Sequence, residues 1–495
     1  MELQWNSMPW TYLKTNVDQV MNQEQTLEVR LGDGMPDIGR VLCAWGQPVL
    51  RGKEWRNDSM GITGGVSVWV LYMPEDGSGV QSVQTWLPFQ GKWNLQDSHR
   101  EGVTRVDCLL RSVDARTLSA RKLMVRANVG ILGQAFEQTQ TNVYQPGELP
   151  EQVYALKKDY PICLPVEAGE KVLNLEQSMP PVANTEQVLA CWVRPVVSEQ
   201  NVVGDRVVVR GTAYADLVCR SDDGRVFTQT MDLPFAQFAD LDREYDKEAS
   251  AAITMAVSNL ELELVENEIR VKCSLIAQYV IREQRILSIA EDVYSPVRKV
   301  KLSVQQLSLP AILDSRSELT EATLDMDIPG GQPIDGVFLP DHPTVYREEN
   351  GATLELPGSV QLLYYDADGS LQAKTEPWID NVRFPVSERA KIHTSITQMQ
   401  RPSQSLYAGS VQLTSQLRLN IVTTGSLEVP MVMALDIGEV ITPDPDRPSL
   451  LLQRMGDGDL WNLAKSTGST VDAIWEANGL QGEPVQGQML LIPVI

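Results

Sequence analysis

Residues 212–224, TAYADLVCRSDDG, decide the fold of this chain, because two similar segments occur at nearly regular distances from them. One is residues 66–77, VSVWVLYMPEDG, and the other is residues 359–369, SVQLLYYDADG. Each is an apolar, β-prone run that ends in Asp-Gly, a pair that supplies the positive φ angles of a tight hairpin. The final glycines are 147 and 145 residues apart. This spacing predicts three copies of one β-rich module.

A short proline motif follows each hairpin. It is Leu-Pro-Phe in the first two copies, at residues 87–89 and 233–235, and Pro-Trp-Ile in the third, at residues 377–379. Because proline cannot donate a hydrogen bond to a β-ladder, the motif predicts an edge strand or a bulge. An edge or a bulge of each predicted sheet should therefore lie just after the hairpin.

A closing motif of the form Val-Tyr-x-Pro ends each copy, at residues 143–146 and 293–296, with Val-Ile-Thr-Pro at 440–443 as the third member. Between the proline motif and the closing motif, each copy carries further alternating runs, which are typical of paired, half-buried strands. These runs are residues 122–130, 268–277 and 410–422. The whole pattern predicts a mainly β chain with three tandem β-sandwich-like units.

The C-terminal residues follow a different pattern. Apolar residues at i, i+3 and i+4 indicate a short helix, and residues 469–472 (STVD) resemble a capping box, with Asp in place of Glu, that opens a second helix. Gly479 is a natural C-cap for that helix. The expected elements are a strand at 450–452, a helix through Leu460, Leu463 and Ala464, a second helix after Ser469, and a strand at 489–493. The predicted order is βααβ.

The same patterns predict where one domain ends and the next begins. Residues 442–449 (TPDPDRPS) contain three prolines and no apolar periodicity, which favours an extended linker before a separate domain. The predicted segments are a first repeat with an N-terminal segment at 1–160, a second repeat at 161–305, a third at 306–443, a proline-rich linker at 444–448 and a C-terminal domain at 449–495.

The βααβ unit resembles a LysM domain. Its turn followed by Leu-Trp lies at residues 457–461, its helix ending in Asn at 477–480, and its tail Gly-Gln-x-Leu-x-Ile-Pro at 487–493. The resemblance implies a groove between the loop after the first strand and the loop after the second helix, which would take a glycan or a partner protein. The implied groove residues are Gly456, Asp457, Gly458, Asp459, Leu460, Trp461, Asn478, Gly479, Leu480 and Gln481.

Three sandwich-like repeats that end in Val-Tyr-x-Pro, followed by one LysM unit, are similar to the SPOCS-domain proteins of spore-forming bacteria. This resemblance covers nearly the whole chain. It implies a scaffold for assembly of the spore coat, which recruits or tethers a coat morphogenetic ATPase through its LysM and β modules. The implied location is the mother-cell cytoplasm at the forespore surface. The alternative is a cell-wall protein whose LysM groove binds peptidoglycan through N-acetylglucosamine.

Composition argues against several other classes of protein. A formal net charge of −23 repels phosphate backbones, so nucleic acid is not an expected partner. No direct membrane insertion is expected, because no stretch approaches about 18 uninterrupted apolar residues. Six cysteines are spread singly without a CxxC pair, as in a reducing compartment. Residues 1–14 lack the basic leader and apolar run of a secretory signal, which also predicts a cytoplasmic protein.

The usual signatures of catalysis are missing from the sequence. The three histidines, His99, His342 and His393, show neither zinc-ligand spacing nor the arrangement of a catalytic triad. Ser119 and Lys122 match Ser-x-x-Lys, but they enter a predicted strand rather than a helix, and no Lys-Thr-Gly companion follows. We therefore expect no enzyme, no cofactor and no metal.

Overall fold

The computed structural model describes residues 2–95, 102–182, 184–265, 268–349, 351–387, 389–442 and 447–495. His99, Pro443 and residues 444–446 of the predicted linker lie outside them. Over these ranges the chain is mainly β, as predicted, with only two short helices, and its strands form several small antiparallel sheets. In this described part of the chain, neither helix is long and apolar enough to cross a membrane.

The first unit, residues 7–144, follows the short strand β1 (Glu2–Gln4). Its strands are β2 (Ser7–Arg30), β3 (Ile38–Arg56), β4 (Ser59–Pro74), β5 (Gln81–Asn94), β6 (Val103–Ser119) and β7 (Lys122–Tyr144). They form two three-stranded sheets, in which β7 lies between β2 and β6, and β4 lies between β3 and β5. Ser119 and Lys122 flank the turn between β6 and β7, so the Ser-x-x-Lys sequence belongs to a hairpin.

The second unit, residues 154–294, pairs its strands in the same way. Its strands are β8 (Tyr154–Met179), β9 (Thr185–Ser221), β10 (Val226–Tyr245), β11 (Ser250–Val265) and β12 (Glu268–Tyr294). β12 lies between β8 and β11, and β10 pairs with the second half of β9. The two halves of β9 approach each other, since the Ser198 hydroxyl donates to the Arg210 carbonyl at 3.3 Å and the Val196 carbonyl lies against Gly211. They therefore correspond to β3 and β4.

The third unit, residues 298–440, repeats this pairing with two interrupted strands. Its strands are β13 (Arg298–Asp327), β14 (Gln332–Pro340), β15 (Thr344–Glu348), β16 (Gly351–Tyr365), β17 (Leu371–Phe384), β18 (Lys391–Gln398), β19 (Ser403–Tyr407) and β20 (Ser410–Val440). β20 lies between β13 and the successive strands β18 and β19, and β16 lies between β17 and the successive strands β14 and β15. β1 also pairs with β20.

The predicted Asp-Gly hairpins are confirmed, since they join β4 to β5, β9 to β10 and β16 to β17. In each turn the glycine adopts a positive φ, at 72° for Gly77, 82° for Gly224 and 78° for Gly369. The aspartates do not share this conformation. Asp76 instead accepts a hydrogen bond from the backbone N–H of Ser78 at 2.9 Å, as in an Asx-turn.

The proline motifs lie on edge strands, as predicted, and each one carries an aromatic residue directly opposite a glycine. A Cβ at any of these glycines would collide with the backbone of the strand on its other side or with the aromatic ring. Glycine therefore allows close approach, and the ring covers the space that it leaves. The opposed pairs are Gly64 with Phe89, Gly211 with Phe235 and Gly358 with Trp378.

The closing motifs end β7 and β12, and the third begins at the last residue of β20. The first strands of the second and third units, however, start earlier than the sequence pattern indicates. The boundaries predicted at 160/161 and 305/306 fall inside β8 and β13, which are continuous strands. Alternation is weak in the exposed parts of these strands, so they have little periodic signal.

The three units contact one another in a closed ring. β3 of the first unit contacts β11 of the second, β9 contacts β18 of the third, and β14 contacts β6 of the first. Each unit thus uses the same two surfaces, as in a head-to-tail assembly that closes on itself. One buried apolar cluster contains Trp45, Leu217 and Leu363, and so combines side chains of all three units.

Buried polar side chains fix the position of each unit against the next. Gln278, with 1% of its surface exposed, accepts from the Val106 N–H at 2.8 Å and donates to the Val106 carbonyl at 2.7 Å. Gln47 accepts from the Val193 N–H at 2.7 Å. Because a buried amide that loses its partners is costly, these contacts specify one arrangement of the units.

The C-terminal module, residues 447–495, is built from two strands and two helices. They are β21 (Leu450–Arg454), α1 (Leu460–Thr467), α2 (Val471–Asn478) and β22 (Met489–Pro493). β21 and β22 pair in an antiparallel sheet. The helices close over one face of that sheet through a core that includes Ala464, Ile474 and Ile492.

Candidate functional site

Local hydrogen bonds set the helix boundaries of the C-terminal module. Asp459 is the N-cap of α1, and its side chain accepts from the Asn462 N–H at 2.9 Å. Thr470 caps α2 by accepting from the Ala473 N–H at 3.1 Å. The sequence pattern predicted this cap at Ser469, one residue too early. Ser469 is instead fully buried before the helix begins. Gly479 ends α2 with a φ of 56°, as predicted.

The loop after β21 contributes the first part of the predicted groove. Gly456, Asp457, Gly458 and Asp459 are exposed, whereas Leu460 is buried in the core of the module. Asp457 accepts a hydrogen bond from Gln486, which lies just before β22. The structure therefore brings the loop after β21 beside the loop that follows α2, and it leaves carboxylates on the surface.

The loop after α2 contributes the second part, and its main polar side chain is engaged within the module. The Asn478 amide donates to the carbonyls of Ile474 at 2.8 Å and Leu491 at 2.6 Å, and its oxygen accepts from the Leu491 N–H at 2.7 Å. Leu480 is half-buried against the core, and Gln481 is exposed. Asn478 thus ties α2 to β22, which leaves little of its amide for a ligand.

Trp461 faces the second unit. Its ring packs edge-on against Tyr294 with centroids 4.7 Å apart, and its indole N–H donates to Asp292 at 2.8 Å. Lys465, one turn further along α1, forms an ion pair with the same carboxylate at 2.6 Å. The Tyr294 hydroxyl donates to the Ser469 carbonyl at 3.0 Å. The side chain of Trp461 is therefore part of an internal interface.

This interface modifies the expectation that a proline-rich linker separates the C-terminal domain from the rest. Tyr294 is the tyrosine of the second closing motif, and it belongs to the same buried cluster as Leu460 and Ile474. The physical reason is that an exposed closing tyrosine and an exposed tryptophan can bury each other. The module is anchored on the end of β12.

The outer face of the β21–β22 sheet is apolar and exposed. Leu450 has 50% of its surface exposed, Leu452 has 67% and Met489 has 47%. Residues that alternate with them, such as Leu490 and Ile492, point into the core and are fully buried. Leu450 and Leu452 therefore lie on a face that no described residue covers. We call the surface formed by Leu450, Leu452 and Met489 the outer leucine face.

The outer leucine face was not predicted, although the sequence contains a signal for it. Residues 450–452 are three consecutive leucines, and a strand in a two-stranded sheet with helices on one side can bury only every second one. Such a run predicts exposed apolar residues in addition to a strand. Comparisons with protein-family models, with curated proteins and with solved structures find no match to this chain.

Proposed function

We propose that this chain is a non-enzymatic assembly protein that binds a partner protein through the outer leucine face of its C-terminal module. The observation that carries this proposal is the exposure of Leu450, Leu452 and Met489 on one face of a small sheet. Contiguous exposed apolar residues are typical of protein-protein interfaces. Leucines at the centre of such a face contribute binding energy because they are removed from water on contact.

We further propose that the three units are SPOCS-like repeats and that the C-terminal module is LysM-like. The repeated strand pairing supports this proposal, as do the opposed glycine and aromatic pairs in every unit. The unit boundaries that best fit the strands are 7–144, 154–294 and 298–440. On this proposal the partner is the coat morphogenetic ATPase, and the protein acts in the mother-cell cytoplasm at the forespore surface.

The alternative, binding of peptidoglycan in the LysM groove, has less support from the side chains of the module. The side-chain amide of Asn478 forms hydrogen bonds within the module, and Trp461 is packed against Tyr294. What remains exposed on the first loop includes the carboxylates of Asp457 and Asp459, one of which caps a helix. A groove of this composition offers few free donors to an N-acetyl group.

Replacing Leu452 by aspartate tests the proposed docking face. We expect the affinity for the purified ATPase to fall by about tenfold or more, because a carboxylate is costly to bury in an apolar contact. Surface plasmon resonance measures the change. The matched control is Leu319→Asp in β13, since Leu319 is 58% exposed on the third unit. Equal binding by wild type and Leu452→Asp would contradict the proposed face.

Sedimentation with purified sacculi tests the glycan alternative. We expect the protein to stay in the supernatant, because Asn478 and Trp461 are committed to internal contacts and the chain carries a net charge of −23. A peptidoglycan-binding LysM protein run in parallel serves as the positive control. Sedimentation of this protein to the same extent as the control would support the alternative function.

A further inference from the structure

A cavity lies where the three units of the ring meet. Its volume is about 470 Å³, within the range of cavities that bind small molecules. Corresponding strands of the three units line it, namely β3, β9 and β14 together with β6, β11 and β18. The cavity therefore belongs to the assembled ring and is distinct from the outer leucine face.

The wall of the cavity is positively charged, although the chain as a whole is acidic. Asp107 is the single carboxylate residue among the described residues that line it, and neither lysine nor glutamate occurs there. The basic side chains of the wall are Arg105, Arg194, Arg282, Arg316, Arg418 and His393. In a protein with 65 acidic and 42 basic residues, five arginines around one cavity are a local excess of positive charge.

Two of these arginines, and the histidine, have carboxylate partners. Arg194 pairs with Asp216 at 3.2 Å, and Arg316 pairs with Asp314. His393 contacts Asp18; burial raises the pKa of the Asp18 carboxyl, but the hydrogen bonds and charges around it, those of His393 foremost, outweigh burial, so that this pKa is lowered. The charges of Arg194 and Arg316 are therefore largely balanced within the protein.

The other three arginines, one from each unit, form no ion pair among the described residues and bond only to neutral groups. Arg105 donates to the Gln134 side chain at 2.7 Å, Arg282 to the Ser315 hydroxyl at 2.8 Å, and Arg418 to the Val197 carbonyl at 2.8 Å. A guanidinium has five N–H donors, so each keeps donors that these bonds do not use. Each unit thus contributes to the cavity wall one arginine that has no ion-pair partner among the described residues.

Arg105 and Arg282 line the same cavity and carry like charges. Burial, and then the positive charge of Arg282, lower the pKa of Arg105 to about 10. Burial also lowers the pKa of Arg282. Asp107 and Asp18 offset part of this charge, but neither forms an ion pair with these arginines. Two partly buried cations that line one cavity and have no carboxylate in an ion pair with them favour an anion between them.

The rest of the wall is apolar and aromatic. Trp45 and Trp192 lie with ring centroids 5.6 Å apart, and Leu109 and Phe338 also line the cavity. Trp45 is 3% exposed, and its indole N–H has no acceptor among the described residues. The cavity therefore offers apolar surface for the body of a ligand, beside cationic donors for its head.

We propose that this cavity binds an organic anion with an apolar body, whose carboxylate or phosphate head lies between Arg105 and Arg282. Planar guanidinium groups bind such heads through paired hydrogen bonds. This site goes beyond the docking function proposed above and uses none of its residues. The ligand would also join the first unit to the second, because Arg105 lies in β6 and Arg282 in β12.

Isothermal titration calorimetry of the full chain tests this site with three probes. Phenyl phosphate has both the anionic head and an apolar body, inorganic phosphate has the head alone, and benzyl alcohol has the body alone. We expect phenyl phosphate to bind at one site per chain, inorganic phosphate to bind more weakly, and benzyl alcohol to give no measurable heat. Equal binding of benzyl alcohol and phenyl phosphate, or no binding of phenyl phosphate, would overturn the proposal.

Charge-removing variants locate the site. We expect Arg105→Gln and Arg282→Gln each to weaken phenyl phosphate binding by about tenfold or more, which corresponds to the loss of one charge-assisted contact. The matched control is Arg225→Gln, because Arg225 lies outside the cavity and its side chain is 83% exposed. Unchanged binding in both cavity variants would refute the assignment.

The melting temperature without ligand gives a second and independent readout. Arg105→Gln removes one of two repelling cations, so we expect the ligand-free variant to melt at a higher temperature than the wild type while its response to phenyl phosphate is lost. A variant that melts lower and still responds to phenyl phosphate would show that Arg105 has only a structural role.

Discussion

Replacing Gly211 by alanine is expected to lower the free energy of unfolding by about 3 kcal/mol or more, since overpacking against backbone exceeds the usual cost of an extra methyl group. The added Cβ would lie 2.7 Å from the ring of Phe235 and closer still to the carbonyl oxygen of Val196. Phe235 is 5% exposed and Val196 is 8% exposed, so neither has room to move. Urea denaturation followed by tryptophan fluorescence measures the change.

Gly438→Ala is the matched control for this experiment. Gly438 also lies in a strand, β20, but a Cβ there would meet its nearest neighbour at 3.4 Å, an ordinary contact. We expect that variant to fold with stability close to that of the wild type. If Gly211→Ala and Gly438→Ala have the same stability, close approach at the opposed glycine and aromatic pair is not a requirement of the fold.

Replacing Trp461 by alanine is expected to cost about 3 to 5 kcal/mol, the usual range for truncation of a buried aromatic side chain. The variant loses the edge-on contact with Tyr294 and the hydrogen bond to Asp292. Because Trp461 also belongs to the core of the C-terminal module, the module should both loosen and detach from β12. Limited proteolysis between the third unit and β21 reports the detachment, and calorimetry reports the loss of stability.

Two further variants separate packing from hydrogen bonding at this interface. Trp461→Phe keeps an aromatic ring but removes the indole N–H, so we expect a smaller loss of stability than in Trp461→Ala. Tyr294→Ala in combination with Trp461→Ala completes a double-mutant cycle, in which contacting residues should give non-additive losses. Additive losses, or a Trp461→Ala variant as resistant to protease as the wild type, would mean that the module is not anchored through Trp461.

Features set by local physics could be predicted from the sequence. The Asp-Gly hairpins follow from the freedom of Gly77, Gly224 and Gly369 to adopt positive φ. The edge strands follow from the missing N–H of Pro88 and Pro234. Each of these signals depends on residues within one turn or one strand, so neighbouring positions are sufficient to recognise it.

The candidate site was only partly predictable. The helix boundary at Gly479 could be anticipated, because a C-cap is a local requirement, whereas Trp461 was expected only as a residue of the implied groove. That Trp461 meets Tyr294 could not be anticipated, because the two residues are far apart in the chain and neither carries a signal for the other. The three consecutive leucines indicate that some of them are exposed, but which ones are exposed depends on the side of the sheet that the helices cover.

The sequence by itself determined that this protein is mainly β, where its hairpins turn and where its pattern changes towards the C-terminus, since these depend on backbone conformation and on side-chain periodicity. Only the tertiary structure decided that the three units close into a ring, that the C-terminal module is anchored on β12, and that Arg105 and Arg282 face one cavity. Those arrangements depend on the packing of surfaces from distant segments. Packing is decided by the shape and charge of whole surfaces, which no local pattern of residues records.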